Sequence, residues 1–275
     1  MSTQAKYERL CETLRQMGRV VIAFSAGVDS TFLLKVARDT LGPDAVLACT
    51  GVSPSLAEAE LQSVRDLATK IGARLRLVET KEMDNPNYVE NSPKRCYFCK
   101  SDLYSHLKAV AAEEGFEVIC SGANFDDQGD YRPGMDAAKE FGVRAPLLEA
   151  GLTKEEIRVL SREIGLPTWD KPALACLSSR IPYGTPVTMP SLKQIEEAEG
   201  FLRQKGFRIC RVRHHGNVAR IEVPVADLPR LVSEPLRAEV AAALKGFGYA
   251  YVAVDLVGFR SGSGNEVLKT TFTKA

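Results

Sequence analysis

The chain has 275 residues, 26% of them charged, and a formal net charge of +1. That length can bury a real core and points to two domains, while the near-neutral charge offers no global field for nucleic acid or a membrane surface. No apolar run approaches transmembrane length, the first ten residues are too polar for a secretory signal, and seven cysteines are an odd number, which together predict a cytoplasmic protein whose thiols are kept as thiols or bind metal rather than pair structurally.

Residues 4–17 read as an amphipathic helix with Tyr7, Leu10, Leu14 and Met17 on one face. An apolar run from Val20 to Phe24 then has strand length, and Phe32, Leu33, Val36 and Ala37 begin a helical pattern. Between them lies Ser25-Ala26-Gly27-Val28-Asp29-Ser30. A strand, a tight loop and a helix in that order aim unpaired backbone N–H groups and the positive end of the helix dipole at one point, which suits a phosphate. An ordinary strand-to-helix turn capped by serine has the same spacing. Neither the Walker loop nor the dinucleotide fingerprint is present. The segment instead resembles the SGGxDS loop of ATP pyrophosphatases, with Ala26 in place of the usual first glycine, a departure that matters if this residue needs a positive φ.

Further strands are expected at 45–49, 73–78 and 116–120, with helices at 54–71 and 100–114 between them. Strands alternating with helices predict right-handed crossovers, a mostly parallel sheet and a Rossmann-like α/β domain. Ligands of such sheets sit outside the carboxyl ends of the strands. Residues 25–30, 50–53, 81–99, 121–134 and 171–183 converge there. The loop after the fourth strand carries Asn124, Asp126, Asp127 and Asp130, whose carboxylates suit Mg²⁺ through oxygen ligands or, equally, a solvated turn capped by Asn and Asp. Asp29 is the stronger single Mg²⁺ ligand.

From residue 164 onward glycines and prolines punctuate the chain, and 186–190 reads as a linker. A helix at 191–205, a strand at 207–213, a turn at 214–217, a strand at 218–223, helices at 225–231 and 236–245 and a strand at 250–256 follow, a small α+β domain. The two-residue period places Arg211 and Arg213 on one face of their strand, close enough to share one phosphate; a solvated edge-strand face has the same pattern.

Cys96-Tyr97-Phe98-Cys99 lies among Lys94, Arg95 and Lys100, and Cys176 lies in Cys176-Leu177-Ser178-Ser179-Arg180. A CxxC alone is a redox pair, half a zinc site or incidental. Three thiolates without a nearby histidine fit a cubane iron–sulfur cluster with one open iron, or a zinc with one open position. Cys11, Cys49, Cys120 and Cys210 fall on helix or strand patterns as small core residues.

The loop at 25–30, Arg95–Lys100, Gly122-Ala123-Asn124 with Asp126-Asp127, Asp130-Tyr131-Arg132-Pro133-Gly134, Cys176–Arg180 with Ile181-Pro182-Tyr183-Gly184, and Arg260-Ser261-Gly262-Ser263 together resemble the LarE family, over nearly the whole chain and in the same order. The resemblance implies an ATP-dependent sulfurtransferase of nickel-pincer nucleotide synthesis, which adenylates a carboxylate of pyridinium-3,5-biscarboxylic acid mononucleotide and replaces AMP with sulfur. It implies an ATP pyrophosphatase domain at 1–186 and a substrate-binding and oligomerising α+β domain at 187–275. ATP would lie on Ser25, Ala26, Gly27, Val28 and Ser30 with Asn124 and Asp127, and Asp29 would hold Mg²⁺. Cys176 matches the position that single-cysteine members sacrifice to dehydroalanine; Cys96, Cys99 and Cys176 together match the members resembling [4Fe–4S]-dependent thiolation enzymes. Arg211 and Arg213 match residues for the substrate phosphate, and Ser179, Arg180 and Glu199 lie where substrate-site residues are expected. No nucleic acid or membrane partner is implied, and assembly is expected as a trimer or hexamer. The rivals are a tRNA thiolation enzyme, whose basic groove the charge disfavours, an amidating synthetase, which has no use for the three cysteines, and a nucleotide-binding regulator with structural zinc.

Overall fold

A computed structural model describes residues 1–129, 133–172 and 175–266. The chain divides into two compact units, one of residues 1–88 and 93–174, the other of 89–92 and 175 onward. The expected boundary at 186 differs from this division: twelve residues before it, and a four-residue insert far upstream, belong to the second unit.

In the first unit, helix α1 (Thr3–Met17) starts at the Ser2 cap and buries Leu10 and Leu14. Strand β1 (Val20–Ala23) leads into α2 (Val28–Leu41), and β2 (Val46–Val52), α3 (Glu58–Ile71) and β3 (Arg74–Glu79) follow. After the short α4 (Pro86–Val89) come α5 (Arg95–Glu114), β4 (Val118–Cys120), α6 (Pro133–Glu140), α7 (Pro146–Glu149) and α8 (Lys154–Glu163). The four strands form a wholly parallel sheet in the order β3-β2-β1-β4, the expected Rossmann-like α/β arrangement. The apolar run Val20, Val21 and Ile22 is fully buried because the sheet is covered on both faces. The chain runs outward from β1 to β3 and then returns to β4 on the other side of β1. This reversal makes the carboxyl ends of β1 and β4 the switch point at which such sheets bind ligands.

In the second unit, α9 (Met189–Gln204) packs on a sheet of β5 (Arg211–His215), β6 (Val218–Glu222) and β7 (Tyr251–Val254), with α10 (Leu228–Leu231) and α11 (Leu236–Gly246) between β6 and β7. Pairing is antiparallel between β5 and β6 and parallel between β6 and β7. Its separate core gathers Leu202, Phe207, Val212, Ile221 and Leu244. The expected linker at 186–190 is instead the start of α9, where Thr188 and Ser191 form a reciprocal cap and proline occupies the first turn. The expected strand at 207–213 begins four residues later, and His214 and His215 belong to it rather than to the turn. Residues 89–92 join this unit through Asn91, which adopts φ 60° and donates to the carbonyls of Ile181, Pro182 and Thr185. Asparagine tolerates the left-handed conformation, so its side chain pins the Ile181–Gly184 stretch. Among the described residues no helix is long and apolar enough to cross a membrane.

Candidate functional site

At the β1 end, Phe24 N–H donates to the Cys49 carbonyl and the Thr50 hydroxyl to the Phe24 carbonyl at 2.7 Å, which locks the base of the loop to β2. Ala26 takes φ 55° and is fully buried. Gly27 returns to an extended conformation and precedes α2 without a side-chain cap, so no capping side chain takes up the first N–H groups of the helix, the arrangement an anion-binding terminus needs. The Ser25 and Ser30 hydroxyls meet at 3.1 Å, and Ser30 Oγ also accepts from Ser25 N–H. Gly122 passes so close that a Cβ there would lie 2.9 Å from the Ser30 nitrogen, and only glycine fits this approach across the switch point.

Asp29 points back from the first turn of α2. Its Oδ1 accepts from Asn124 Nδ2 at 3.3 Å and its Oδ2 from Lys154 Nζ at 2.5 Å. Asp127 is buried and accepts from Asn124 N–H, while Asp126 accepts from the Lys154 N–H at the start of α8. Asp126 and Asp127 therefore tie down the backbone around Asn124 and α8, and Asp29 is the carboxylate presented at the loop. Asp130, Tyr131 and Arg132 lie outside the described residues. Lys171 reaches the Ala26 carbonyl at 3.2 Å and Glu60 at 3.0 Å, and Arg158 holds the Lys171 carbonyl at 2.8 Å.

Sequence reasoning included Lys171 in a converging stretch but missed Lys154. A signal existed: Lys154 is the first residue of α8, where the helix dipole disfavours a cation and Glu155 and Glu156 follow the rule. A residue that breaks a local preference marks a site that needs it.

The seven cysteines sort by burial. Cys11, Cys49, Cys120 and Cys210 are buried. Burial pushes the Cys49 and Cys120 thiols up to about 12 and the Cys210 thiol up to about 11, so they stay protonated and inert at neutral pH. Cys96 and Cys176 are exposed and Cys99 is half-buried. Cys96 and Cys99 are not in a loop before a helix, as expected, but within the first turns of α5, one turn apart on a single face. Cys176 belongs to the second unit, just before the short 3₁₀ turn Leu177–Arg180. Among the described residues no three His, Cys, Asp or Glu side chains gather into a metal-holding group.

The second unit holds a buried ionic cluster. The Arg180 guanidinium forks onto Glu199 at 2.7 and 2.9 Å, Arg203 adds a contact at 2.8 Å, and Val212 N–H donates to the same carboxylate. Burial alone would raise the Glu199 carboxyl, but the Arg180 charge and hydrogen bonds outweigh it and hold it below the ordinary range. Arg213 forks onto Glu222 at 3.0 and 2.9 Å and donates to Ser263 Oγ and the Ser179 carbonyl. Gly262, at φ 77°, opens the turn that delivers Ser263. Arg211 donates to the Cys210 carbonyl and stacks over Phe259, and burial followed by the Arg180 charge pushes it down to about 10, still cationic at neutral pH. Arg211 and Arg213 are thus both buried, which removes the alternative of a solvated strand face. Three buried arginines, Arg180, Arg211 and Arg213, face two buried glutamates, Glu199 and Glu222.

No protein-family model matches the chain. It is 46% identical over 96% of its length to an uncharacterized protein of Synechocystis sp., covering 98% of that protein. It is 38% identical to the pyridinium-3,5-bisthiocarboxylic acid mononucleotide synthase of Lactiplantibacillus plantarum, over 98% of this chain and 97% of the synthase. Argininosuccinate synthase of Pyrococcus furiosus is 26% identical over 56% of the chain, covering 40% of that enzyme. The similarity to the synthase runs end to end and takes in both units, and the chain belongs to the LarE, or pyridinium-3,5-bisthiocarboxylic acid mononucleotide synthase, family.

Proposed function

We propose that this protein is an ATP-dependent sulfurtransferase of nickel-pincer nucleotide synthesis, which adenylates a carboxylate of pyridinium-3,5-biscarboxylic acid mononucleotide, releases pyrophosphate and exchanges AMP for sulfur to give a thiocarboxylate. The observation that carries it is the end-to-end similarity to the synthase, which is named for the bisthiocarboxylic product. The loop geometry supports the first half of the reaction. Backbone N–H groups at the start of α2 meet the phosphates, and Asp29 would hold Mg²⁺, which neutralises the pyrophosphate; one carboxylate plus phosphate oxygens is a donor set this ion accepts. Adenylation makes the carbonyl a target, since AMP leaves where a carboxylate oxygen does not.

Cys96, Cys99 and Cys176 would hold a [4Fe–4S] cluster. The donor chemistry fits: among the seven cysteines these three are the ones that are not buried, and Cys96 and Cys99 stand in the first turns of α5 beside Arg95 and Lys100. Bound there, the cluster supplies a place to carry inorganic sulfur, so that Cys176 keeps its own. In the second unit, Arg211 and Arg213 would bind the substrate phosphate, with Glu222 holding the Arg213 guanidinium and Glu199 that of the neighbouring Arg180 in position. The exposed Tyr251, Leu256 and Val257 of the same unit suit a homo-oligomeric contact in a trimer or hexamer.

The test is release of AMP and pyrophosphate from ATP in the presence of the biscarboxylic mononucleotide. Asp29→Asn should lower that rate by at least about a hundredfold with the circular dichroism spectrum unchanged. ADP and orthophosphate as the products would refute the reading.

A further inference from the structure

Lys154 occupies an unusual position. Its ammonium sits on Asp29, the carboxylate presented at the phosphate loop, while its backbone N–H is fixed by Asp126. Asn124 satisfies the other Asp29 oxygen, so both oxygens already have donors. A divalent cation that takes Asp29 must therefore displace a cation already there. The displaced ammonium stays tethered: the first residue of α8 is held by the Thr153 cap and by Asp126, and only the flexible four-carbon stem can swing. Lys171, the other ammonium at the loop, is committed both to the Ala26 carbonyl and to Glu60. Among the described residues, Asp29 is the one partner the Lys154 ammonium has to leave.

We infer that Lys154 is a nucleotide phosphate ligand whose ammonium is stored on Asp29 and exchanges partners when metal and nucleotide arrive together, the metal taking Asp29 and Nζ taking a phosphate oxygen. The inference deepens the proposed ATP use and rests on it. Charge favours the exchange. An ammonium left against a metal-bound Asp29 would face a like charge, whereas the polyphosphate that accompanies the metal offers new anionic oxygens within the same cleft. The side chain of Lys154 is one-third exposed, so it can move without breaking the core.

The experiment is calorimetric titration of the full chain with Mg·ATP, pyrophosphate and adenosine, and of nucleotide-free protein with Mn²⁺ followed by electron paramagnetic resonance. Lys154→Met should weaken Mg·ATP and pyrophosphate roughly tenfold to a hundredfold, the effect of losing one charge-assisted hydrogen bond. Adenosine binding should stay as in the wild type. Mn²⁺ should bind the same variant more tightly, because its competitor for Asp29 is gone, and Lys154→Arg should restore most of the pyrophosphate affinity. Unchanged Mg·ATP affinity in Lys154→Met, or Mn²⁺ affinity that fails to rise, overturns the exchange while leaving ATP use intact. A wild-type protein that binds no Mg·ATP overturns both. A loss of adenosine affinity along with ATP would instead mean that Lys154 only supports the fold, and this too overturns the inference.

Discussion

Ala26 holds a left-handed backbone at the centre of the phosphate loop with no exposure to solvent. Such a conformation costs an L-residue roughly 1–2 kcal/mol, which the Lys171 contact to its carbonyl and the close packing around it sustain. Replacing it by glycine relieves that strain but removes a buried methyl and loosens the unfolded chain, so Ala26→Gly should alter stability by less than about 1 kcal/mol. Ala26→Val adds β-branching and bulk at the same position and should destabilise by about 2–4 kcal/mol, read by urea unfolding. The loop was legible in the sequence because its chemistry is local: small residues, a carboxylate and hydroxyls in a fixed order. Glu199 was placed in the sequence as a substrate-site residue, yet its four donors come from residues 180, 203 and 212, and long-range burial leaves no mark on local pattern. Glu199→Ala leaves Arg180 buried without its counter-charge, and should cost about 3–5 kcal/mol in the same assay.

At the scale of elements, α8 joins the proposed ligand site to stability. Thr153 caps Glu156 N–H, the Glu156 carboxylate returns to Thr153 N–H, and Lys6 of α1 closes on the same carboxylate at 2.8 Å. Partial burial works against ionisation of Glu156, but the Lys6 and Thr153 hydrogen bonds prevail and hold it at about 2. An unfolded glutamate titrates near about 4.3. The folded carboxyl lies below that value, so its stabilisation is complete above the unfolded value and is lost as pH falls from about 4 toward 2. Glu156→Gln should therefore flatten the acid limb of the thermal stability profile in that window, and Thr153→Ala should cost about 1 kcal/mol at neutral pH. Elements with caps or long periodic faces, such as α1, α2 and β1, were visible in the sequence. The start of α5 was not, because Lys94 precedes it without a capping side chain. The start of α9 was misread because Pro190 looks like a linker residue and is equally a first-turn residue. For strand β5 the pattern left a solvated face as the alternative to a phosphate-binding pair, but Arg211 through His214 are all buried, and alternation carries no face information when both sides are covered.

On the scale of the molecule, the proposed function assigns nucleotide chemistry to the unit built on the parallel sheet and anion recognition to the arginine-rich α+β unit; Cys96 and Cys99 belong to the first unit and Cys176 to the second. Anaerobically prepared protein should carry about four irons and four sulfides per chain, and Cys96→Ala, Cys99→Ala or Cys176→Ala should each abolish that content. Iron-free wild-type protein, or zinc in its place, would contradict the cluster.

The central claim, ATP-dependent transfer of sulfur to a carboxylate, is tested most directly by mass spectrometry of both product and protein after one anaerobic reaction of cluster-loaded enzyme with ATP, Mg²⁺, sulfide and the biscarboxylic mononucleotide. The account predicts AMP, pyrophosphate and a thiocarboxylate in excess of one per chain, with the protein mass unchanged. A substrate recovered with all its oxygens while ATP is consumed would contradict sulfur transfer. A single product per chain, with the protein lighter by the H₂S of one cysteine, about 34 Da, would contradict the cluster and return Cys176 to sacrifice.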